Sequence, residues 1–171
     1  MLFPREYPEF ITATCLDWKP VLSSDRSKDI IIESLRFLTR NERVLIYAFV
    51  LMNNHIHLIW QMLGENKRSD VQRDFLRYTS QRILQGLKKD HGWLYDALIV
   101  NATDRNRQVW KRNALSISLW TPSVFDQKLE YIHNNPVRAG LCRYPEDYRY
   151  SSAAFYLCNK TEWDFLSHAD G

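Results

Sequence analysis

Three stretches of the chain carry the short apolar patterns that predict strands. They are residues 10–16, 44–52 and 55–60. The first is rich in β-branched side chains, and the second is a continuous run of nine apolar residues. Since side chains alternate between the two faces of a strand, His55 and His57 in the third stretch would point to one side and Ile56 to the other.

Three further stretches repeat apolar side chains every three or four residues, as the buried faces of helices do. The apolar positions are Ile31, Leu35 and Leu38 in the first stretch, Val71, Phe75, Thr79 and Ile83 in the second, and Phe125, Leu129 and Ile132 in the third. The first helix is predicted to start at residues 23–26 and to end near Asn41. Ser69 and Gln72 have capping-box spacing, so the second helix is predicted to open there and to run to about Lys88.

The third helix and the order of the elements complete the predicted fold. Pro122 opens this helix, and because Pro136 disfavours helical backbone at Asn135, the helix is predicted to end there. Residues 90–121 are predicted to be irregular. The order strand, helix, strand, strand, helix predicts an α+β fold of the ferredoxin-like, split βαβ kind, in which an antiparallel sheet has its helices packed on one face.

Length and composition indicate one globular domain over residues 1–171. Hydrophobic residues make up 45% of the chain, and the three cysteines have no metal-ligand spacing, which is typical of free thiols in a reducing compartment. Residues 1–6 do not resemble a signal peptide, and an apolar run of nine residues is too short to cross a membrane. We therefore expect a cytoplasmic protein without a membrane partner.

Positive charge is concentrated in the second predicted helix. Residues 67–89 hold seven basic and two acidic side chains, a net charge of +5, whereas the whole chain carries +3. The basic residues are Lys67, Arg68, Arg73, Arg77, Arg82, Lys88 and Lys89. A basic element on a near-neutral body indicates a phosphate-rich partner, although a solvated helix face has the same composition.

Two pairs of residues are candidates for chemistry. His55 and His57 can supply two imidazole ligands to a metal ion, provided that a third group joins them. Tyr131 and Asn135 are four residues apart, so they share one face of the third helix. A tyrosine hydroxyl has a pKa of about 10 and is a weak nucleophile, but it can attack a phosphate that a metal ion polarises. The amide oxygen of Asn135 would complete a site suited to Mg²⁺ or Mn²⁺.

Two sequence blocks resemble the single-tyrosine HUH transposases, and among them the REP-associated branch (REP denotes repetitive extragenic palindromic elements). They are Leu-Met-Asn-Asn-His-Ile-His-Leu-Ile at residues 51–59 and Tyr-Ile-His-Asn-Asn-Pro-Val-Arg-Ala-Gly-Leu at residues 131–141. The similarity extends over most of residues 10–155, the core of the expected domain, and leaves residues 156–171 as a C-terminal tail.

The resemblance implies a DNA transposase that nicks and rejoins single-stranded DNA beside a hairpin of a REP-like palindromic element. Tyr131 would form a covalent 5′-phosphotyrosine and free a 3′-OH, while His55, His57 and Asn135 would bind Mg²⁺ or Mn²⁺. DNA contacts are expected from Lys67, Arg68, Arg73, Arg77, Lys88 and Arg138. The protein would associate with the nucleoid when it binds DNA, as a monomer or a homodimer.

Other interpretations of the same residues stay open. A domesticated relative would bind hairpin DNA with little or no catalytic activity, and a metal hydrolase would use water as its nucleophile and not need Tyr131. Arg138 suits a phosphate contact or a solvated loop equally well. Trp110 is the tryptophan considered for base stacking, and His133 is expected to be structural.

Overall fold

The protein is described by a computed structural model that covers residue 4 and residues 6–90, 92–160 and 162–169. Its regular elements are β1 (Glu9–Thr14), α1 (Asp25–Arg40), β2 (Val44–Leu51), β3 (His55–Met62), α2 (Arg68–Lys89), α3 (Trp93–Ala97), β4 (Leu115–Ser118), α4 (Pro122–Arg138) and α5 (Ala153–Cys158). The prediction that residues 1–6 form no signal peptide lies largely outside the described residues.

The four strands form one antiparallel sheet in the order β2-β3-β1-β4. The helices α1 and α2 each connect two strands that are not neighbours, which is the split βαβ arrangement. The predicted α+β, ferredoxin-like fold class is therefore confirmed. In the register of this sheet, Thr12 lies opposite His57 and Thr14 lies opposite His55.

The core lies on both faces of the sheet. Helices α1 and α2 cover one face, where side chains such as Leu35 and Phe75 pack among buried residues of the strands. Helix α4 covers part of the other face and packs Phe125 and Ile132 there. This departs from the predicted one-face arrangement, because β2 is buried on both sides and its second apolar face also needs cover.

The apolar faces predicted for the helices are confirmed, but the predicted start of α2 is wrong. The helix begins at Arg68, and Lys67 occupies the N-cap position without a side-chain hydrogen bond. Ser69 therefore lies inside the first turn and cannot form the capping box with Gln72. The amide oxygen of Gln72 is instead buried without a partner among the described residues.

The predicted end of α4 at Asn135 is also wrong, since the helix continues through Pro136 to Arg138. Pro136 removes one backbone hydrogen bond, but the N–H of Ala139 donates to the carbonyl of Asn135 and the N–H of Gly140 donates to Val137. Pro136 is buried, so packing compensates for the lost bond. Arg138 consequently belongs to the helix, two turns after Tyr131.

Residues 90–121 contain more structure than the sequence pattern predicts. The short helix α3 and the edge strand β4 both lie in this segment. Trp110 is only 6% exposed and donates a hydrogen bond from Nε1 to the hydroxyl of Thr79, so base stacking on Trp110 is excluded. Over the described part of the chain, no helix combines the length and apolar character that crossing a membrane requires.

Candidate active site and nucleic-acid interface

The two histidines are presented by the first residues of β3, directly after a tight turn. The N–H of Met52 donates to the carbonyl of His55, which closes the β2–β3 hairpin around Asn53 and Asn54. The N–H of Cys15 donates to the carbonyl of Asn54, so β1 holds this turn from the other side. The imidazole rings of His55 and His57 lie 4.9 Å apart between centroids, on the same face of the sheet.

Each imidazole has an oxygen partner at Nδ1. The amide oxygen of Asn54 accepts a hydrogen bond from His55 over 2.7 Å, and the hydroxyl of Thr12 lies 2.7 Å from Nδ1 of His57. When Nδ1 carries the ring proton, Nε2 keeps a free lone pair. Nε2 of His57 is buried and has no hydrogen-bond partner among the described residues. Histidines that bind metals have this arrangement, with the second nitrogen oriented by an oxygen.

Helix α4 brings Tyr131 and Asn135 to the histidines. The ring of Tyr131 lies 5.2 Å from that of His57, edge to face. The side chain of Asn135 forms a hydrogen bond with His55. Phe10 lies beneath the site, stacked on His57 at 5.3 Å, and its ring meets Tyr131 at 5.9 Å. Two residues of a strand and two of a helix therefore converge on one point, and Tyr131 remains 37% exposed there.

The electrostatics keep the imidazoles neutral. Burial, together with the smaller effects of the neighbouring imidazole and of the cations Lys128 and Arg138, lowers the pKa of His57 to about 3. Burial also lowers the pKa of His55, an effect that its hydrogen bond with Asn135 partly offsets. Both rings are thus uncharged near neutral pH, as a metal ligand must be.

Two cationic side chains flank Tyr131. The guanidinium of Arg138 lies 4.5 Å from the centroid of the tyrosine ring, and the ammonium of Lys128 lies 5.5 Å from it. Lys128 also lies 4.8 Å from the ring of Phe10. Neither cation forms an ion pair with any carboxylate of the described residues. The surroundings of Tyr131 therefore carry uncompensated positive charge, which suits a phosphate group.

The donor set at this point fits a divalent metal ion. It consists of two neutral imidazoles, from His55 and His57, and one amide oxygen, from Asn135, and Nε2 of His57 has no other partner among the described residues. The buried, unpaired Nε2 of His57 is the observation that favours a ligand, since such an atom loses hydrogen bonding without one. No cluster of three or more His, Cys, Asp or Glu side chains suited to a metal occurs among the described residues. A metal ion bound by His55 and His57 would therefore take Asn135 as its third protein ligand.

A cleft of about 1640 Å³ lies between α2 and the segment 104–114. Its basic lining residues are Arg68, Arg73, Arg77 and Lys88 from α2 and Arg105, Arg107, Lys111 and Arg112 from the segment, and Asp104 is its acidic residue. Four basic residues of the second predicted helix thus form one wall of this cleft. Because α2 and α4 cover opposite faces of the sheet, the cleft and Tyr131 belong to separate parts of the surface.

The residues predicted to bind DNA differ in how free their charges are. Arg68 forms an ion pair with Glu9, and Arg73 pairs with Asp70 and Asp74. Arg77 and Lys88 have no such partner among the described residues. The two remaining predicted contacts lie outside the cleft: Lys67 is exposed just before α2, and Arg138 flanks Tyr131.

Sequence reasoning missed several residues that shape these sites. Thr12 and Phe10 could not be found, because only the pairing of β1 with β3 brings them to His57. Lys128 did leave a signal, since it precedes Tyr131 by three residues and so shares its helix face. The basic residues of segment 104–114 were visible as a charge cluster but had no predicted element to carry them.

Comparison with known proteins places this fold among solved structures. One similar solved structure is described as the REP-associated tyrosine transposase bound to a REP hairpin. The alignment covers 98% of this chain and 86% of the other chain, at 14% sequence identity and a TM-score of 0.64. The two chains share one fold. The resemblance to REP-associated tyrosine transposases that the sequence predicts is confirmed at the level of the fold.

A second solved structure is that of a proposed transposase from Deinococcus radiodurans R1. The alignment covers 74% of this chain and 88% of the other chain. Its identity is 13% and its TM-score is 0.48, too low to bear on the fold. No protein-family model and no curated protein matches the sequence.

Proposed function

We propose that the protein is a DNA transposase that cleaves and rejoins single-stranded DNA through a covalent bond to Tyr131. One observation carries this proposal: a partly exposed tyrosine and three side chains that are able to bind a metal ion, from β3 and α4, converge at one point. A metal site made for water as nucleophile has no need of a tyrosine between two unpaired cations.

The proposed cleavage is a transfer of one phosphate ester bond. The hydroxyl oxygen of Tyr131 attacks the phosphorus, the bond from phosphorus to O3′ breaks, and the phosphate remains attached to the 5′ carbon of the downstream nucleotide. The phenol loses its proton to solvent, and the departing O3′ takes up a proton as a 3′-OH. Rejoining is the reverse step with a 3′-OH as nucleophile, and since one ester replaces another, no ATP is needed.

His55, His57 and Asn135 would hold Mg²⁺ or Mn²⁺ in this reaction. The ion would supply Lewis-acid polarisation of the phosphate. The protein contributes the orientation of the ligands, since Thr12 and Asn54 contact the Nδ1 atoms and Nε2 is then the nitrogen of each imidazole that would bind the ion. Phe10 stacks on His57 and reduces the access of water to that ring.

Lys128 and Arg138 would hold the phosphate beside the hydroxyl of Tyr131. Their cationic groups lie on α4 at three residues before and seven residues after the tyrosine, so the helix fixes their spacing. Neither is neutralised by a carboxylate of the described residues. A bound phosphate would therefore be attracted by both cations without an existing ion pair having to break.

The basic cleft would bind the backbone of a DNA hairpin, as a second contact apart from the site of cleavage. The related structure is described as bound to a REP hairpin, and we propose that this chain also binds a hairpin of a palindromic element. Eight basic side chains line the cleft against one acidic one. Phosphate contacts of this kind hold the substrate in position but do not read its sequence. We place this activity in the cytoplasm, on nucleoid DNA.

The test is the formation of a covalent protein–DNA adduct. A library of hairpin oligonucleotides with randomised single-stranded flanks is incubated with the protein and Mn²⁺, and products are separated on a denaturing gel. We expect an adduct with the wild-type protein and with Tyr144→Phe, an exposed tyrosine elsewhere on the surface. Tyr131→Phe removes one oxygen, so it should lose both the adduct and strand cleavage while its fold is retained.

Each alternative interpretation gives a different result. Strand cleavage by Tyr131→Phe would identify water as the nucleophile and a hydrolase. Hairpin binding without cleavage by the wild-type protein, under all metal conditions, would indicate a domesticated binding protein.

A further inference from the structure

Trp18 is an exposed tryptophan that the proposed function has not used. It follows β1, at the edge of the site that holds the histidines, and its side chain is 60% exposed. Its ring lies 6.1 Å from that of His55, at an angle of 73°. An indole exposed to this degree contributes little to a core, so its packing alone does not explain its position.

The backbone that carries Trp18 is strained. Asp17 and Trp18 both have positive φ angles, 51° and 55°, in a left-handed conformation that costs free energy for residues other than glycine. Backbone hydrogen bonds hold the turn, since the N–H of Trp18 donates to Cys15 and that of Lys19 donates to Leu16. None of these bonds involves the indole ring, so the turn does not need the ring to form.

The same turn is tied to the metal-ligand residues. The amide nitrogen of Asn54 donates to the carbonyl of Trp18 over 3.3 Å, while the amide oxygen of Asn54 accepts from His55. One side chain therefore links the backbone of Trp18 to the orientation of His55. The exposed ring keeps a fixed place relative to the point where the phosphate would react.

We infer that Trp18 stacks on an unpaired base of the DNA strand, next to the phosphate that Tyr131 attacks. The inference deepens the proposed function and rests on it, because it needs a single strand that passes the histidines. Every base offers a π-face of the kind that an exposed indole can cover, whatever its sequence. A paired base would already be stacked inside a duplex, so the occupant is single-stranded DNA.

The test compares a strand that has bases with one that lacks them. The probes are a twelve-nucleotide oligothymidylate and an abasic strand with the same number of phosphates, and binding is measured at equilibrium without a divalent ion. Trp18→Asn removes the ring, and asparagine tolerates the left-handed backbone. Phe37→Ala removes an exposed aromatic ring from α1, on the opposite face of the sheet, and is the matched control.

We expect the wild-type protein to bind the oligothymidylate more tightly than the abasic strand. Trp18→Asn should weaken binding of the oligothymidylate by about 5-fold to 150-fold, the range for one stacked base, and leave binding of the abasic strand unchanged. Phe37→Ala should change neither affinity.

Two results would overturn the inference. One is an unchanged affinity of Trp18→Asn for the oligothymidylate, and the other is an equal loss for both strands, which would mean that the turn itself has been disturbed. Failure of the proposed function appears elsewhere, as a missing Tyr131 adduct, and this binding comparison does not depend on that adduct.

Discussion

Replacing Thr12 by valine tests how the sheet orients the histidines that we propose as metal ligands. The substitution removes the hydroxyl that lies 2.7 Å from Nδ1 of His57 and puts a methyl group in its place. His57 is only 4% exposed, so water cannot easily replace the lost partner. An unsatisfied buried polar group costs about 1–3 kcal/mol, and we expect the free energy of unfolding to fall by that amount.

The larger expected effect of Thr12→Val is on metal binding. Without its oxygen partner, the imidazole of His57 can rotate or place its proton on Nε2, which removes the lone pair that a metal needs. Losing an outer partner of a ligand histidine typically lowers metal affinity or activity about 10- to 100-fold. Mn²⁺ titration by calorimetry measures the affinity, and urea unfolding without metal measures the stability.

Thr14→Val is the matched control for this prediction. Thr14 lies on the same strand opposite His55, and its hydroxyl makes no hydrogen bond to any residue that the structure describes. We expect this variant to keep its Mn²⁺ affinity. If Thr12→Val lost stability but bound Mn²⁺ as tightly as the wild-type protein, Thr12 would be a structural residue only, and our account of the ligand orientation would be wrong.

Three further predictions concern charge and packing. Arg77→Gln should reduce the slope of log DNA affinity against log salt concentration by about 1. Arg73→Gln should reduce this slope less, because Asp70 and Asp74 already pair with Arg73. Equal slopes for the two variants would refute this prediction. A hydrogen bond from Arg36 lowers the pKa of Asp164, so Asp164 stabilises the fold at pH values above the unfolded pKa and loses this effect as the pH falls through the folded pKa. Near neutral pH, Asp164→Asn should therefore unfold at a slightly lower urea concentration than the wild-type protein. At strongly acid pH, the two proteins should unfold at the same urea concentration. Phe75→Ala should cost about 3–5 kcal/mol in urea unfolding, since Phe75 is buried against Trp60.

The sequence by itself determined the local elements and the pairs of residues within them. The periods of apolar residues identified the strands β1 to β3 and the buried faces of α1, α2 and α4. The same periods placed His55 beside His57 and Tyr131 one turn before Asn135. These features follow from the geometry of a single strand or helix, so no distant contact is needed to derive them.

The tertiary structure alone decided which of these pairs meet and what surrounds them. The pairing of β1 with β3 brings Thr12 to His57, and α4 lies on the second face of the sheet because β2 has two apolar sides to bury. The same packing buries Pro136 and carries the helix on to Arg138, which reaches the ring of Tyr131. The basic cleft likewise needs α2 and a segment without regular period to meet. Each of these depends on contacts between residues far apart in the chain, and a local pattern of hydrophobic and polar positions holds no information about such contacts.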